Sequence, residues 1–514
     1  MAEYILSNYV NPYDIIVTVP VLNCHHTKNG AAAYRYDPGT CTLYMIPFLI
    51  QKFCCVIMRE IQIRKTERKH HMKRIRTALL FTLITLSLTV MPLFAEEEQA
   101  PSPSDGSYHL EQVVVLSRHN IRAPLSNSGS AVGQLTPYAW TEWTAPDSEL
   151  TLKGGVAETI MGQYFRKWLE SEQLIPENYI PEDGEVRFYT NARQRTIATA
   201  QYFSSGMLPV ANVPIEYKDE IGATDPTFKV LLTFMSDAYA EAVDEQLHEQ
   251  FDLEEGGAVK QALEKDYALL EDVIDFKESE GFLSGEYPEW RTDDLEVILE
   301  EGKEATIGGS LKTAMAGSDA IVLQYYEEDD PVKAAFGREL TTEEWTQLAD
   351  INTTYQTIRF NSPLIGVNLA HPMLIEILDE IQDPGRKFSF ICGHDSNVAT
   401  VLGALGVTDY ELPETIERRT PIGVKLVFEK WMKDEEEFAR VRLIYQSTEQ
   451  LRHLTPLSLD NPPMAFTIEL PGLEMNEDGY YQLDEVTGAL QSAIDSYDML
   501  SELYADDVEL ENAA

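Results

Sequence analysis

Two short runs of consecutive apolar residues constrain this fold more than any other feature of the sequence. They are Glu111–Ser117 (EQVVVLS) and Lys387–Cys392 (KFSFIC). Apolar runs of this length without polar alternation are typical of strands that are buried on both faces, as in a parallel sheet covered by helices. A histidine-containing polar cluster follows each run. Because ligands of open α/β sheets bind beyond the carboxyl ends of the strands, these clusters are the first candidates for a functional site.

Strand and helix patterns alternate along much of the chain. Thr151 is expected to cap a helix that extends to about Ser171, with apolar residues at a spacing of four. Further strands are predicted over 185–190 and 213–217, further helices over 193–205 and 396–405, and an antiparallel hairpin over 423–431 and 438–446. This alternation predicts an α/β fold with a doubly wound, mixed, mostly parallel sheet.

A strongly acidic and mostly helical block over 223–350 interrupts the alternation. Helical patterns within and beyond it cover about 236–253, 257–279, 311–327 and 342–360. We therefore predict a helical subdomain inserted into a core that is formed by 107–222 and 351–514.

The N-terminal part has the composition of processing sequence. Met72 is followed by three basic residues, an apolar run over 78–94 and then Ala95. This pattern predicts a secretory signal peptide over 72–95, and a membrane anchor that is not cleaved is the alternative. We expect 96–106 to be a flexible tether and the mature protein to be periplasmic or secreted.

Residues 1–71 fit neither a signal peptide nor a regular fold. They contain four of the five cysteines, which leaves only Cys392 downstream, and they precede a plausible start at Met72. We interpret 1–71 as probable non-native upstream translation from a misassigned start codon. The alternative is a genuine additional domain.

Charge limits the partners of the chain. The 514 residues include 85 acidic and 40 basic side chains, and 80 acidic and 29 basic ones follow residue 95. A phosphate backbone requires a basic surface, so the charge argues against a nucleic-acid partner but not against a small basic pocket. The composition indicates neither membrane association after signal cleavage nor any particular oligomeric state.

Three clusters combine arginine, histidine and aspartate. They are 118–124 (RHNIRAP), 191–196 (NARQRT) and 393–397 (GHDSN). Arginines near an imidazole disfavour its protonated form, and their guanidinium groups match phosphoryl oxygens. The imidazole of His119 could then attack phosphorus, while Asp395 protonates the leaving group.

Each cluster also has a simpler interpretation. His119 could be a structural or surface histidine, His394 and Asp395 could cap a helix, and Arg195 could pair with a surface carboxylate. Metal binding is a further alternative, but the six histidines after residue 95 show no H-x-x-x-H or Cys–His spacing. The occurrence of all three clusters in this order favours phosphoryl chemistry.

The motifs resemble those of the histidine acid phosphatases. SRHNIRAP is similar to the R-H-G/N-x-R-x-P signature of that family, and GHDSN is similar to its downstream H-D motif. The residue after the histidine is Asn120, and in this the chain resembles the bacterial periplasmic glucose-1-phosphatases, whereas most phytases carry glycine at that position. Similar stretches extend over about 108–460, so the resemblance covers nearly the whole mature chain.

The resemblance implies a role for each matching residue. His119 would be the nucleophile that forms a phosphohistidine, and Asp395 would be the proton donor. The phosphate-binding residues would be Arg118, Arg122, Arg195 and His394. Glu327 would narrow the pocket against substrates with several phosphates. No cofactor and no metal are implied.

These observations predict an exported acid phosphatase for small phosphate monoesters, most similar to a glucose-1-phosphatase. A phytase or a broad acid phosphatase is the enzymatic alternative, and an inactive sugar-phosphate binding protein is the alternative from another class. The natural substrate, the pH optimum and the reason for the strong acidity stay open at this point.

Overall fold

The computed structural model describes residues 107–124 and 130–504, and upstream of them the backbone of two short strands. These strands, β1 (Asn23–His26) and β2 (Ala32–Arg35), pair antiparallel. The signal peptide and tether that we predicted over 72–106 lie outside the described residues, and so does most of 1–71.

The chain divides into two compact units, Met1–Pro101 and Ser102–Ala514. The strands of the second unit are β3 (His109–Arg118), β4 (Val186–Thr190), β5 (Ile215–Glu216), β6 (Val297–Ile298), β7 (Thr306–Ile307), β8 (Phe388–Gly393), β9 (Lys425–Lys433), β10 (Glu436–Tyr445), β11 (Met464–Thr467) and β12 (Tyr481–Gln482).

Helices surround these strands. They are α1 (Ala131–Gln134), α2 (Leu152–Ser171), α3 (Gln194–Met207), α4 (Asp237–Phe251), α5 (Ala258–Val273), α6 (Glu280–Ser284), α7 (Ser310–Glu327), α8 (Pro331–Ala334), α9 (Thr342–Phe360), α10 (Pro363–Gln382), α11 (Asp395–Ala404), α12 (Thr448–Arg452) and α13 (Leu483–Tyr504). Among the described residues, no helix is both long enough and apolar enough to span a membrane.

The central sheet is mixed, in the order β11-β10-β9-β3-β8-β4-β5, with β12 paired to β10. Strands β3, β8, β4 and β5 are parallel neighbours, whereas β9, β10 and β11 join them through antiparallel pairs. Most strands of this sheet therefore run in one direction. The predicted fold class, a mixed and mostly parallel sheet, is confirmed.

Strand β3 shows why the apolar runs do not alternate. Val113 and Val115 pack with Phe165 of α2 on one face of the sheet. Val114 packs with Leu374 of α10 on the opposite face. Because helices cover both faces, the run from Val113 to Leu116 is apolar at every position, and the sheet is doubly wound as predicted.

Helix α2 begins and ends where the sequence predicted. The Thr151 side chain accepts a hydrogen bond from the Gly154 amide and caps the helix. The buried side chains, however, include Ala157, Met161 and Phe165, whereas Val156 is exposed. Of the four apolar residues at the predicted spacing, Val156, Ile160, Tyr164 and Trp168, only Trp168 is buried. The spacing was therefore sufficient to predict the helix, but most of its buried face lies one residue further along.

The segment between β5 and β8 is mostly helical and supplies most of one hydrophobic cluster, which it shares with residues outside the segment such as Ala157 of α2 and Ala399 of α11. The segments predicted around 236–253, 257–279, 311–327 and 342–360 correspond to α4, α5 with a 3₁₀ turn, α7 and α9. Among the described residues of this segment, the only strands are β6 and β7, which pair antiparallel and are separate from the central sheet. Helix α9 crosses the predicted end of the helical block at residue 350 and continues to Phe360, three residues before α10 begins.

Candidate active site

A cavity of about 780 Å³ opens at the carboxyl ends of β3, β4 and β8, where the sequence predicted a site. Six of the seven predicted site residues line it, and they come from three separate segments of the chain. They are Arg118, His119, Arg122, Arg195, His394 and Asp395.

The parallel pairing of β3 and β8 brings the first and third clusters together. Arg118 is the register partner of Gly393, and the His119 amide donates to the Gly393 carbonyl at 3.1 Å. The rings of His119 and His394 consequently lie 5.4 Å apart between centroids, at an angle of 74°. Residues separated by 275 positions in sequence thus share one site because adjacent parallel strands end at the same edge.

The His119 side chain is buried, and its orientation is defined by one hydrogen bond. Its Nδ1 lies 2.8 Å from the Asn120 carbonyl oxygen. Because a carbonyl can only accept, Nδ1 carries the proton and Nε2 retains a free lone pair. Burial, followed by Arg195 and His394, lowers the pKa of His119 well below its ordinary value. These surroundings therefore favour the neutral, nucleophilic form of the imidazole.

Arg118 is held between two carboxylates. Its guanidinium lies 2.8 Å from Glu417 and 3.5 Å from Asp395, and its Nε has no hydrogen-bond partner among the described residues. Burial opposes the charge, but Glu417 and Asp395 outweigh it and raise the pKa of Arg118 above its ordinary value. Arg118 is thus a permanent cation with an unsatisfied donor at the site.

The other two arginines complete a positive cradle. Arg122 pairs with Asp319 of α7 at 3.0 Å. Arg195, in the first turn of α3, makes one long hydrogen bond of 3.4 Å to the Ser148 carbonyl, and its buried Nε has no partner among the described residues. Burial and the nearby Arg122 lower the pKa of Arg195 to about 10. An anion between these groups would satisfy both donors.

His394 and Asp395 lie at the N-terminus of α11. The Asn191 amide group donates to His394 Nε2 at 2.8 Å, and the His394 amide donates to Asn397 Oδ1. Burial acts to raise the pKa of the Asp395 carboxyl, but Arg118 and His394 outweigh it and hold the pKa below its ordinary value. A bound anion would reverse part of this effect, because its charge competes for the same arginine.

Glu327 is not among the residues that line the cavity, and its predicted role in narrowing the pocket stays a prediction. Its carboxylate accepts hydrogen bonds from the hydroxyls of Thr151 at 2.9 Å and Thr144 at 3.1 Å. Burial raises its pKa. Glu327 therefore anchors the end of α7 to the start of α2, and the carboxylate that α7 presents to the cavity is Asp319, about two turns earlier.

Sequence reasoning missed three polar residues of the site. Glu417 holds Arg118, Asp319 holds Arg122, and Gln356 lies 3.5 Å from an Asp395 oxygen. A further stretch that resembles the family, 419–423 (RTPIG), begins two residues after Glu417 and could have indicated it. The other two lie on long helices, and nothing in their local sequence distinguishes them from surface residues.

Within the described residues, no group of three or more His, Cys, Asp or Glu side chains is arranged to hold a metal ion. The arrangement places the imidazole of His119, the carboxyl group of Asp395 and the guanidinium groups of three arginines, Arg118, Arg122 and Arg195, around a common space. Such a constellation can bind a phosphoryl group, attack it with nitrogen and protonate the departing oxygen.

Comparison with known families places these motifs in a wider context. The family whose sequence model matches the chain is the histidine phosphatase superfamily (branch 2), over residues 109–446. That span contains every residue that we predicted for the site.

Curated relatives match over most of their length. The chain is 34% identical over 420 residues to the glucose-1-phosphatase of Salmonella typhimurium, covering 80% of this chain and 99% of that protein. It is 34% identical over 429 residues to the glucose-1-phosphatase of Providencia rettgeri, covering 81% and 99%. Identity to the phytase AppA of Escherichia coli is 26% over 417 residues, covering 77% and 93%.

Solved structures share the fold. The phytase of Citrobacter braakii has a TM-score of 0.66 at 25% identity, covering 76% of this chain and 98% of that one. The Hafnia alvei phytase in its apo form has a TM-score of 0.68 at 24% identity, covering 78% and 99%. The sheet, the flanking helices and the helical block therefore belong to a known architecture.

Proposed function

The chain belongs to the histidine phosphatase superfamily, branch 2, and from that premise we propose that it is an exported acid phosphatase that hydrolyses glucose 1-phosphate through a phosphohistidine. It is a phosphoric monoester hydrolase that acts on small phosphate esters. The observation that best supports hydrolysis through a phosphohistidine is the neutral His119 imidazole, which is buried among three arginines with Nε2 free.

The first step transfers the phosphoryl group to the enzyme. The lone pair of His119 Nε2 forms a bond to phosphorus while the bond from phosphorus to the ester oxygen breaks. The Asp395 carboxyl gives its proton to that oxygen, and the alcohol leaves. Arg118, Arg122 and Arg195 bind the phosphoryl oxygens and stabilise their charge in the transition state.

The second step regenerates the enzyme. Asp395, now a carboxylate, accepts a proton from a water molecule whose oxygen forms the new bond to phosphorus. The bond from phosphorus to Nε2 breaks, inorganic phosphate leaves, and both His119 and Asp395 return to their starting protonation states. The positive end of α11, next to Asp395, favours negative charge throughout both steps.

Glucose 1-phosphate is the favoured substrate because two relatives that are named glucose-1-phosphatase match the chain at 34% identity. The carboxylates of Asp319 and Glu149 line the cavity beside the arginines. They would oppose further phosphate groups and leave hydrogen-bond acceptors for sugar hydroxyls.

A phytase is the second candidate, and one observation favours it. Arg193 and Lys229 also line the cavity, and neither forms an ion pair with another described residue. Two such cations could bind additional phosphate groups of an inositol polyphosphate. Phosphate release from glucose 1-phosphate and from phytate, measured side by side as kcat/KM, distinguishes the candidates.

The covalent step is tested by trapping. We expect enzyme that is quenched in alkaline denaturant during turnover of labelled substrate to retain acid-labile, alkali-stable phosphate, and His119→Ala to retain none. Turnover without trapped phosphate would contradict the covalent step. Phosphate binding without turnover between acidic and neutral pH would instead indicate an inactive binding protein.

A further inference from the structure

A buried ion pair lies behind the nucleophile and outside the cavity. Lys425 Nζ of β9 lies 3.0 Å from Glu158 Oε1 of α2, and both side chains have no exposed surface. Among the ion pairs of the described residues, no other has both partners fully buried. The lysine also donates to the Gly423 carbonyl and to the Ser117 hydroxyl.

Stability alone does not account for this pair. Removing two charges from water costs more than a simple ion pair returns, and replacement by apolar side chains of similar volume is often neutral or stabilising. Glu158 is moreover incompletely satisfied, because its buried Oε2 has no hydrogen-bond partner within the described part of the chain. An unpaired buried acceptor adds to the cost of burying this pair.

The pair determines the position of Asn120. Glu158 Oε1 accepts a hydrogen bond from Asn120 Nδ2 at 2.8 Å, and Asn120 Oδ1 accepts one from the Ile121 amide at 2.8 Å. Thr199 Oγ1 accepts a third bond from the Asn120 amide at 3.2 Å. Because both ends of its side chain are hydrogen-bonded, Asn120 is held in one orientation. In that orientation its backbone carbonyl oxygen lies 2.8 Å from His119 Nδ1.

The neighbouring loop leaves room for this arrangement. Gly423 has a φ of 72°, and a Cβ atom there would lie 2.6 Å from Asn120 Nδ2 and 3.3 Å from Glu158 Oε1. A side chain at this position would displace the bond between Asn120 and Glu158. The Gly423 amide also donates to the His119 carbonyl at 3.2 Å, so the same glycine constrains the nucleophile directly.

We propose that Glu158, anchored by Lys425, is a positioning residue that holds Asn120 so that its carbonyl keeps the proton of His119 on Nδ1 and leaves Nε2 free to attack. This inference rests on the proposed function, because it matters only if His119 is the nucleophile. It predicts that the network controls the tautomer of His119 and leaves phosphate binding to the arginines.

The first measurement uses the unmodified protein. Nitrogen-15 NMR of the histidine ring nitrogens, with His119 assigned by comparison with His119→Asn, is expected to show protonated Nδ1 and unprotonated Nε2. Protonation on Nε2 in the unmodified protein would overturn the proposal, whether or not the enzyme turns over.

The second measurement compares two double variants that both lack the buried charges. Lys425→Met with Glu158→Gln retains an oxygen that can accept from Asn120, whereas Lys425→Met with Glu158→Met retains none. We expect the Gln variant to stay within about threefold of the unmodified kcat and the Met variant to lose about 10- to 100-fold, because a histidine in the wrong tautomer can cost up to about 10⁴-fold. Competitive inhibition by inorganic phosphate should be unchanged in both.

These measurements distinguish failure of the positioning role of Glu158 from failure of the proposed function. Equal kcat in the two variants, or loss of kcat with an unchanged His119 tautomer, would overturn the positioning role. If the Met variant does not fold, the tautomer in the Gln variant and in the unmodified protein still decides the question. Failure of the unmodified enzyme to release phosphate would instead refute the proposed function.

Discussion

At the scale of single residues, the protonation state of each site residue depends on the arginines and carboxylates that lie beside it. His119 and Asp395 sit among the same arginines, which favour a neutral imidazole and an ionised carboxyl group. The sequence predicted this cluster because Arg118, His119 and Arg122 are close neighbours in the chain. It could not predict Asp319, because only tertiary packing brings that carboxylate from α7 to Arg122.

Asp395→Asn tests the proton donor. We expect the variant to hydrolyse glucose 1-phosphate about 10²- to 10⁴-fold more slowly, the usual contribution of a general acid. It should affect nitrophenyl phosphate much less, because nitrophenolate leaves without protonation. The measurement is kcat for both substrates in both proteins, and an equal loss for the two substrates would argue against the role.

The pH profile tests the state of His119. Because burial and the nearby cations lower its pKa, the imidazole stays neutral as the pH falls below about 6.5, the ordinary histidine value. We expect kcat/KM, corrected for the ionisation of the substrate at about pH 6, to show no loss as the pH falls from about 7 to about 5. Because the pKa of Asp395 is held below its ordinary value, its protonated fraction decreases as the pH rises through this range, so activity should fall with rising pH, and Asp395→Asn should lack that dependence. An acid-side loss centred on about 6.5 would contradict the predicted environment of His119.

Asp319→Asn tests which carboxylate affects substrate choice. The change removes a negative charge from the cavity and frees Arg122, so the ratio of kcat/KM for phytate to that for glucose 1-phosphate should rise about fivefold, equivalent to about 1 kcal/mol. Glu327→Gln is the matched control on the same helix, and it should leave the ratio unchanged because Glu327 lies outside the cavity. The reverse result would identify Glu327 as the selective residue.

At the scale of elements, the close backbone contact between α2 and α3 positions Arg195, which lies in the first turn of α3. A Cβ atom at Gly162 of α2 would lie 2.2 Å from the Phe203 carbonyl of α3, and one at Gly206 would lie 2.2 Å from the Thr159 carbonyl. The bounds of α2 could be predicted from its cap and its apolar spacing, and the helix predicted over 193–205 agrees with α3 to within two residues. The buried face of α2 could not, because it depends on which partner it approaches, and the glycines rather than the apolar stripe allow that approach.

Gly162→Ala tests this contact. The added methyl group would force α2 and α3 apart at a cost of about 1–3 kcal/mol and displace Arg195, so both Tm and kcat/KM should fall. Gly488→Ala in α13 is the control, because no atom lies within 4 Å of its Cβ position and alanine favours a helix by about 1 kcal/mol. The control should keep full activity with an equal or higher Tm. A Gly162→Ala protein as stable and active as the control would show that the contact is dispensable.

At the scale of the whole molecule, the chain divides at about the place where its composition changes. The boundary between the two compact units follows Pro101, and the family match begins at residue 109. The strongly acidic part of the chain coincides with the second unit, and its positive cavity is built from few arginines. We propose that export through the predicted signal peptide separates this unit from the rest, which gives a periplasmic or secreted enzyme.

Processing of the N-terminus can be measured directly. We expect N-terminal sequencing and intact-mass analysis of the mature protein from its native source to give Glu96 as the first residue, with cleavage after Ala95. An N-terminus within 1–71 would contradict both the predicted start at Met72 and the predicted signal peptide. Retention of 72–95 with the protein in the membrane fraction would instead identify an uncleaved anchor.

The sequence by itself determined the buried strands, the helices between them and the polar clusters that follow, because these depend on neighbours within a few residues. Only the tertiary structure decided that six of the predicted residues share one cavity, that Glu327 lies outside it and that Asp319 and Glu417 lie beside its arginines. It also revealed the buried pair of Glu158 and Lys425 behind His119. The physical reason is that charges act over distances in space, and the pairing of strands and packing of helices set those distances.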